Sequence, residues 1–148
     1  MRISFANPLL VTPKRPLPRR VGIVGAGTIG PDIGYYLKSE LPDLTLILVD
    51  VAQPALDRAV QRIDGYVEKG LKKRKLSDQQ AAAVRANLVA TLDYGELAGC
   101  DWVIEAATEN LELKHRIFAQ IEEQVAPDAI ITSNTSSLPA ERLFAQLK

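Results

Sequence analysis

Residues 21–30 read V-G-I-V-G-A-G-T-I-G, so an apolar run leads directly into glycines at the spacing G-x-G-x-x-G. The run is rich in β-branched residues and predicts a short buried strand, and Ile29 begins an apolar pattern with helical spacing. The turn between them contains Gly25, Gly27 and Gly30, which leave room for something to approach the backbone. Glycine clusters also mark ordinary tight turns, so the rest of the sequence has to decide between the two interpretations.

Strands and helices alternate along the rest of the chain. Four further apolar runs predict strands, at 44–49, 88–92, 102–104 and 129–131. Continuously apolar strands separated by helices are typical of a parallel sheet that is covered on both faces. The predicted fold is therefore α/β, a Rossmann-type doubly wound and mostly parallel sheet with helices on both faces.

Apolar spacing and capping residues predict the helices. The buried face of the first helix is expected to consist of Ile29, Ile33, Tyr36, Leu37 and Leu41. Ser77 and Gln80 have the spacing of a capping box, and Asn110 is the expected N-cap of a later helix. A final helix is expected over 138–148.

The second predicted strand ends in Asp50, 20 residues after Gly30. An acid at this distance from a glycine turn completes the dinucleotide-binding fingerprint, in which the pyrophosphate lies on the helix N-terminus and the acid binds the ribose 2′-OH. A carboxylate would repel the 2′-phosphate of NADP, and residues 51–53 offer no arginine, so we predict NAD. The glycine turn alone would also suit FAD, and Asp50 could instead cap the helix that begins near Pro54.

Polar segments follow two later strands. I-E-A-A-T-E-N-L-E-L-K occupies 104–114 and T-S-N-T-S-S-L occupies 132–138. Ligands of open parallel sheets bind beyond the carboxyl ends of the strands, so both segments are expected to meet the glycine turn at one cleft. The second segment has five hydrogen-bonding side chains in succession, where a helix cap before Pro139 needs only one.

Composition excludes several classes of function. Lys plus Arg and Asp plus Glu number 18 each in 148 residues, so no net charge attracts nucleic acid or an anionic membrane. No stretch approaches the roughly 20 apolar residues of a membrane span. The single cysteine, Cys100, is expected to be a small buried side chain, and no Cys/His cluster has metal-ligand spacing. We expect no nucleic-acid partner, no membrane partner and no metal, in a reducing compartment such as the cytoplasm.

The first 20 residues contain four prolines and five lysines or arginines, but no acid. We expect residues 1–19 to be an extended or disordered leader and residues 20–148 to form the NAD-binding Rossmann domain. An acid-poor leader is also compatible with a mitochondrial transit peptide and hence the matrix, although prolines break the helix that such peptides form.

Taken together, these motifs resemble one family. The glycine turn, Asp50, E-N-L-E-L-K (109–114) and S-N-T-S-S (133–137) are similar to the cofactor-binding domain of L-3-hydroxyacyl-CoA dehydrogenases. The resemblance covers roughly 20–148 and includes both single-function enzymes and multifunctional fatty-acid oxidation proteins. It implies oxidation of L-3-hydroxyacyl-CoA to 3-ketoacyl-CoA with NAD, in fatty-acid β-oxidation.

The resemblance also implies roles for single residues. The pyrophosphate would lie on the turn formed by Gly25, Ala26, Gly27, Thr28, Ile29 and Gly30, and Asp50 would bind the adenosine ribose. The nicotinamide side would be lined by Ala107, Thr108, Glu109 and Lys114. Ser136 matches the catalytic position that contacts both the cofactor and the reacting substrate oxygen. Lys73 matches a position that meets coenzyme A phosphates, with a solvated helix end as an equal alternative.

Several family features differ or are missing. Ile29, Pro31, Asp32 and Tyr66 depart from the usual residues, which bears on the coenzyme A contacts more than on NAD. The family's catalytic histidine lies in a Gly-x-His-Phe-Phe-like motif after S-N-T-S-S, and no such motif occurs before the sequence ends. The sole histidine, His115, is expected on a helix surface. We therefore expect a truncated chain, inactive alone, from a protein that dimerises through a C-terminal helical domain.

Two other functions stay open from the sequence. A related dehydrogenase of free hydroxy acids would have the same glycine turn and the same acid. A non-catalytic module that senses NAD(H) would also need only the features found in residues 20–148.

Overall fold

The computed structural model describes residues 15–147. Five strands form the sheet: β1 (Arg20–Val24), β2 (Thr45–Val49), β3 (Leu88–Thr91), β4 (Trp102–Glu105) and β5 (Ile130–Ser133). Their spatial order is β3-β2-β1-β4-β5, and every neighbouring pair is parallel. The predicted fold class, a Rossmann-type parallel sheet, is confirmed.

Helices cover this sheet on both faces. They are α1 (Gly30–Glu40), α2 (Gln53–Lys72), α3 (Asp78–Arg85), α4 (Leu111–Gln124) and α5 (Ala140–Leu143), with a short 3-10 helix at Tyr94–Leu97. The capping box is present, since the Gln80 N–H donates to Ser77 Oγ at 3.2 Å and the Ser77 N–H donates to Gln80 Oε1 at 2.9 Å. Asn110 caps α4 as expected, accepting from the Leu113 N–H at 2.9 Å.

Alternate residues of the central strands face opposite layers. Leu46 and Leu48 of β2 pack with the layer of α1, α2 and α3, whereas Ile47 and Val49 pack with that of α4 and α5. All four side chains are fully buried. A strand between two apolar layers needs apolar residues at every position, which explains why β2 is apolar throughout.

The strand order reverses at β1, which lies between β2 and β4. Such a reversal leaves a crevice beyond the carboxyl ends of the two central strands, because the connections on either side diverge there. We call this side of the sheet the carboxyl edge and the opposite side the amino edge. The loops after β1, β2, β4 and β5 all emerge at the carboxyl edge.

The prediction for the buried face of α1 is partly wrong. Tyr36 is 65% exposed and Ile29, just before the helix, is 43% exposed. The fully buried positions include Gly34 and Lys38 instead. A Cβ on Gly34 would lie 2.8 Å from Leu46 Cδ2, so the helix packs too close to the sheet for large side chains in the centre of its face.

The two ends of the chain also differ from expectation or lie partly outside the described residues. A helix was expected over 138–148, but the structure has only the four-residue helix α5 in this range. After α5 the Phe144 ring packs against the Phe118 ring, with the two ring centres 5.2 Å apart. Residues 1–14 of the expected leader lie outside the described part. Residues 15–19 contact the amino edge, where the Arg19 N–H donates to Asp101 Oδ2 at 2.7 Å.

Two further observations concern the described residues. Cys100 is 3% exposed, which confirms its predicted burial, and burial raises the pKa of its thiol. Between residues 15 and 147 there is no helix with the length and apolar character of a membrane span, and no group of three metal-ligating side chains.

Candidate functional site

A cavity of about 640 Å³ opens at the carboxyl edge, between the glycine turn and the loops that follow β2, β4 and β5. Seventeen residues line it: Val24, Gly25, Gly27, Thr28, Ile29, Asp50, Val51, Tyr94, Ala106, Ala107, Thr108, Glu109, Leu113, Arg116, Ile117, Gln120 and Asn134. The structure therefore brings together the glycine turn, Asp50 and the segment after β4, as the sequence predicted. A cleft with apolar walls and a few converging polar groups is the usual form of a small-molecule site.

The glycine turn is packed so closely that larger residues are excluded at two positions. Gly25 has φ +111°, and a Cβ there would lie 2.7 Å from the backbone of Ala106. A Cβ on Gly30 would lie 2.0 Å from the carbonyl oxygen of Gly25. The turn after β1 thus lies directly against the loop after β4. Gly27 differs, because nothing lies within 4 Å of its Cβ position, so the space above it is open to a ligand.

Backbone donors are free at this open position. The N–H groups of Gly27, Thr28, Ile29 and Gly30 have no acceptor among residues 15–147. They precede and begin α1, whose N-terminus carries a partial positive charge. Pro31 removes a donor from the next position, which leaves the four preceding N–H groups as the available ones. Such a group of unpaired donors at a helix start is a ready site for a phosphate or pyrophosphate.

Asp50 lies beside these donors and is itself held by the backbone. Its Oδ2 accepts from the Ala26 N–H at 2.8 Å and its Oδ1 from the Ala52 N–H at 3.0 Å. The alternative role, a cap for α2, is not what the geometry shows, because the N-cap of α2 is Ala52 and has no side-chain cap. The carboxylate is fixed at the cavity wall with further acceptor capacity for a ligand hydroxyl.

Beneath the loop after β4 lies a fully buried ion pair. Glu105 is 0% exposed and Lys114 is 1% exposed, and Lys114 Nζ lies 2.7 Å from both carboxylate oxygens. Glu105 also accepts from the Ala107 N–H at 2.6 Å and from Ser133 Oγ at 2.5 Å. The structure therefore places Lys114 under the loop and not in the cavity lining, unlike its predicted neighbours Ala107, Thr108 and Glu109.

The polar row after β5 divides into two sets. Ser133 donates to Glu105, while Thr135 and Ser137 donate to Glu109 at 2.8 and 3.3 Å. These hydroxyls join the loop after β5 to the loop after β4. Between them, Asn134 lines the cavity, and Ser136 is exposed and makes no hydrogen bond within the described residues. Of this row Asn134 therefore lines the cavity, whereas the predicted Ser136 is exposed outside the cavity lining.

Sequence reasoning missed Tyr94, which lines the cavity from the segment after β3. Burial raises the pKa of Tyr94 to about 12, and the nearby carboxylates of Asp50 and Glu105 add to this effect. Its position in the sequence could have indicated this role, because Tyr94 comes shortly after the predicted strand 88–92, at the edge of the sheet where ligands bind. Arg116 and Gln120 were also missed, since α4 places them one turn apart, where no strand end marks them.

Two further residues, the predicted coenzyme A contact Lys73 and the sole histidine, lie away from the cavity. Lys73 is the exposed residue at the C-terminal end of α2, a 20-residue helix that starts beside Asp50, so it lies about 30 Å along that helix from the cavity. His115 is half-buried on α4, where Nε2 lies 2.8 Å from the carbonyl oxygen of Arg142. The structure brings neither residue to the cavity.

Residues 20–148 match the family described as "3-hydroxyacyl-CoA dehydrogenase, NAD binding domain". The chain belongs to this family. Membership makes NAD the cofactor of the domain, and the residues present fit it. Free N–H groups at the start of α1 suit a pyrophosphate, and a fixed carboxylate beside them suits a ribose hydroxyl.

Solved structures of this family have the same fold. The (S)-3-hydroxybutyryl-CoA dehydrogenase PaaH1 of Ralstonia eutropha is 38% identical, with a TM-score of 0.81 over 86% of this chain and 44% of its own. The 3-hydroxybutyryl-CoA dehydrogenase of Escherichia coli is 32% identical, with a TM-score of 0.84 over 88% of this chain and 27% of its own. FadB2 of M. tuberculosis is 30% identical, with a TM-score of 0.80 over 86% and 45%. The chain spans less than half the length of each.

Proposed function

We propose that NAD lies across the carboxyl edge with its adenosine at Asp50 and its nicotinamide on the loop after β4. The observation that carries this placement is the row of free N–H groups from Gly27 to Gly30, since β1, which precedes them, lies between β2, which leads to Asp50, and β4. The pyrophosphate is the anionic centre of the cofactor, and these donors are where an anion is best stabilised. Asp50 then takes the adenosine ribose, and Ala107, Thr108 and Glu109 line the nicotinamide end.

The reaction that we propose for the complete protein is oxidation of an L-3-hydroxyacyl-CoA to the 3-ketoacyl-CoA in fatty-acid β-oxidation. Bound NAD supplies the hydride acceptor for this chemistry. Ser136 is exposed in the loop after β5, between Thr135 and Ser137 that donate to Glu109, and its hydroxyl makes no hydrogen bond among residues 15–147, which supports a role in holding the reacting substrate oxygen. Lys73 is proposed to meet a phosphate of the coenzyme A moiety, because it is exposed in the basic run 72–75 at the C-terminal end of α2.

These 148 residues alone are expected to bind NAD without efficient turnover. A general base contributes typically 10²–10⁴-fold to proton transfer, and the only histidine, His115, is held against the carbonyl oxygen of Arg142, away from the cavity. For the intact protein we propose a reducing compartment, the cytoplasm or the mitochondrial matrix, which a buried free thiol at Cys100 tolerates.

Titration of the 148-residue chain with NAD+, NADH and NADP+ tests the cofactor site. We expect saturable binding of both NAD forms and weaker binding of NADP+ by about tenfold or more, because Asp50 would face the added phosphate. Equal affinity for NADP+ would contradict the role given to Asp50.

Turnover of acetoacetyl-CoA with NADH tests the reaction. We expect little or no oxidation of NADH by the chain alone. Turnover at the rate of intact dehydrogenases would contradict this expectation. A binding titration without any NAD saturation would contradict the proposed function as a whole.

A further inference from the structure

A second cavity, of about 340 Å³, lies between the glycine turn and α2. Six residues line it, and we call it the arginine groove: Ala26, Gly27, Thr28, Arg58, Ala59 and Arg62. It shares Gly27 and Thr28 with the cavity at the carboxyl edge, so the two spaces meet at the glycine turn. A ligand that is held at the turn therefore has access to both.

The two arginines of the groove differ in what holds them. Arg62 Nη2 donates to Asp32 Oδ2 at 2.9 Å, and its Nε donates to the Tyr66 hydroxyl at 2.8 Å. The Tyr66 hydroxyl in turn donates to Asp32 Oδ1 at 2.7 Å. Arg58, one helical turn away, is exposed and makes no hydrogen bond or ion pair with any residue between 15 and 147. The groove thus combines one arginine that is fixed and paired with one whose guanidinium is free to bind an anion.

The neighbouring carboxylates leave Arg58 uncompensated. Asp50 accepts from two backbone N–H groups, and Asp57 accepts from the Gln53 side chain at 2.8 Å. Asp32 is already paired within α1 and α2. The charge of Arg58 is therefore available to an anionic group from outside the chain.

The groove begins beside the carboxylate that is proposed to bind the adenosine ribose. Asp50 Oδ2 accepts from the Ala26 N–H at 2.8 Å, and Ala26 lines the groove. A phosphate on the 2′-oxygen of that ribose would replace the hydroxyl that Asp50 binds, so it would lie close to this point. No arginine occurs at 51–53, but α2 brings Arg58 back to the glycine turn, and guanidinium is the side-chain group best suited to a phosphate.

We propose that the arginine groove is a subsite for the 2′-phosphate of NADP, that Arg58 binds this phosphate, and that Asp50 opposes its entry. The inference rests on the proposed placement of the adenosine at Asp50. One residue attracts the phosphate and the other repels it, so the two act in opposite directions on the preference between NAD+ and NADP+. The preference for NAD is then a balance of two charges, and a single substitution at Asp50 shifts it toward NADP.

The test measures the ratio Kd(NADP+)/Kd(NAD+) for the 148-residue chain and its variants by calorimetric titration. Arg58→Gln removes the attraction, and we expect the ratio to rise by about fivefold to tenfold. Asp50→Asn removes the repulsion, and we expect the ratio to fall by about tenfold or more. The double variant Asp50→Asn/Arg58→Gln should have a ratio about fivefold to tenfold higher than Asp50→Asn, because only the guanidinium differs between them.

Lys69→Gln is the matched control for charge. Lys69 is an exposed cation of the same helix, roughly 16 Å from Arg58 along the axis of α2. Its substitution should leave the ratio unchanged. A change as large as that in Arg58→Gln would mean that the net charge of the chain sets the ratio, and it would overturn the proposal.

The two dissociation constants distinguish the 2′-phosphate from the rest of the cofactor. If Arg58→Gln weakens NAD+ and NADP+ by the same factor, the guanidinium acts on the pyrophosphate that both cofactors contain, and the proposal is overturned. An unchanged ratio with unchanged affinities overturns it as well.

Folding of the variants does not decide the result. Arg58 is exposed and glutamine is a good helix former, so Arg58→Gln should fold like wild type. Where NADP+ binds wild type too weakly to titrate, Asp50→Asn and the double variant give the same comparison. A wild-type chain that binds neither NAD+ nor NADP+ would instead contradict the proposed function.

Discussion

The amino edge and the carboxyl edge of the sheet each bury one lysine, and the two lysines are held in different ways. At the amino edge Lys38 is 1% exposed, and its ammonium donates to a single carbonyl oxygen, that of Leu44, at 2.6 Å. At the carboxyl edge Lys114 is equally buried but forms an ion pair with Glu105. Lys38 joins the end of α1 to the start of β2, six residues away, whereas the Glu105 pair joins segments 28 residues apart.

The difference shows which edge is built to hold a ligand. Burial lowers the pKa of Lys38, because one carbonyl does not replace the hydration of an ammonium. The hydrogen bond that Lys38 makes closes only the short turn between α1 and β2, and neither Lys38 nor Leu44 lines the cofactor cavity. The more extensive network at the carboxyl edge joins α4, the loop after β4 and the end of β5 beside a cavity of about 640 Å³. Preorganised loops of this kind reduce the entropy that binding would otherwise lose.

The largest expected difference between the edges is in stability. Glu105→Gln should lower the free energy of unfolding by about 3–5 kcal/mol, because it leaves Lys114 charged, buried and unpaired. Lys38→Met should change it by less, since the same substitution that removes the hydrogen bond also removes a poorly solvated charge. Urea unfolding at pH 7 measures both. A larger loss in Lys38→Met than in Glu105→Gln would show that the buried ion pair is not the more stabilising of the two interactions.

Two helical glycines differ in the same way: Gly30 begins α1 at the carboxyl edge, whereas Gly65 lies in the middle of α2. Gly30→Ala places a Cβ 2.0 Å from the Gly25 carbonyl oxygen, so we expect about 1–3 kcal/mol of destabilisation and a loss of NAD affinity. Gly65→Ala is the control, because nothing lies within 4 Å of that Cβ position in α2. It should stabilise the protein by about 0.5–1 kcal/mol with NAD binding unchanged. Thermal unfolding with and without NAD distinguishes the two. Similar effects of both substitutions would contradict the described geometry.

At the amino edge the lowered pKa of Lys38 predicts a pH dependence of stability. The unfolded chain holds this proton up to about pH 10.5, and the folded chain releases it earlier. Stability of the wild type relative to Lys38→Met should therefore rise as the pH increases toward 10.5. Chemical unfolding of both proteins across this range measures the difference. A difference that falls with increasing pH would show that Lys38 is stabilised as an ion.

The smallest effect concerns Tyr94 at the carboxyl edge. Its pKa is raised to about 12, so the folded state favours the neutral phenol, and stability is lost as the pH rises from 10 toward 12. Tyrosinate absorbance of wild type and Tyr94→Phe should differ by a transition at about pH 12. A transition of this residue near pH 10 would mean that Tyr94 is more exposed than the cavity geometry indicates.

Much of this molecule could be predicted from sequence because it depends on local pattern. The strands are apolar throughout, the Ser77 capping box is four residues long, and Asp50 follows the glycine turn at a fixed distance. Each of these features is determined by residues that are close in sequence, within one strand, one helix end or one strand–helix–strand unit. Correct placement of the cavity followed from the parallel sheet, whose carboxyl ends all lie on one side.

The rest depends on tertiary packing that no spacing reveals. Lys38 and Lys114 have the sequence appearance of exposed helix residues, yet each is 1% exposed. Tyr36 fits the apolar period of α1 but lies outside the contact, because that helix packs through Gly34. Lys114 pairs with Glu105, the last residue of β4, and no spacing along the chain marks this pair.

Two matched aspartates offer the most direct test of NAD binding at the carboxyl edge. Asp50 and Asp101 each accept two backbone N–H groups, the first at the carboxyl edge and the second, from Arg19 and Arg20, at the amino edge. Calorimetric titration with NAD+ should show at least about a tenfold loss of affinity in Asp50→Ala, through lost hydrogen bonds to a charged acceptor. Asp101→Ala should bind like wild type. Equal affinity of all three proteins, or a loss confined to Asp101→Ala, would contradict the account.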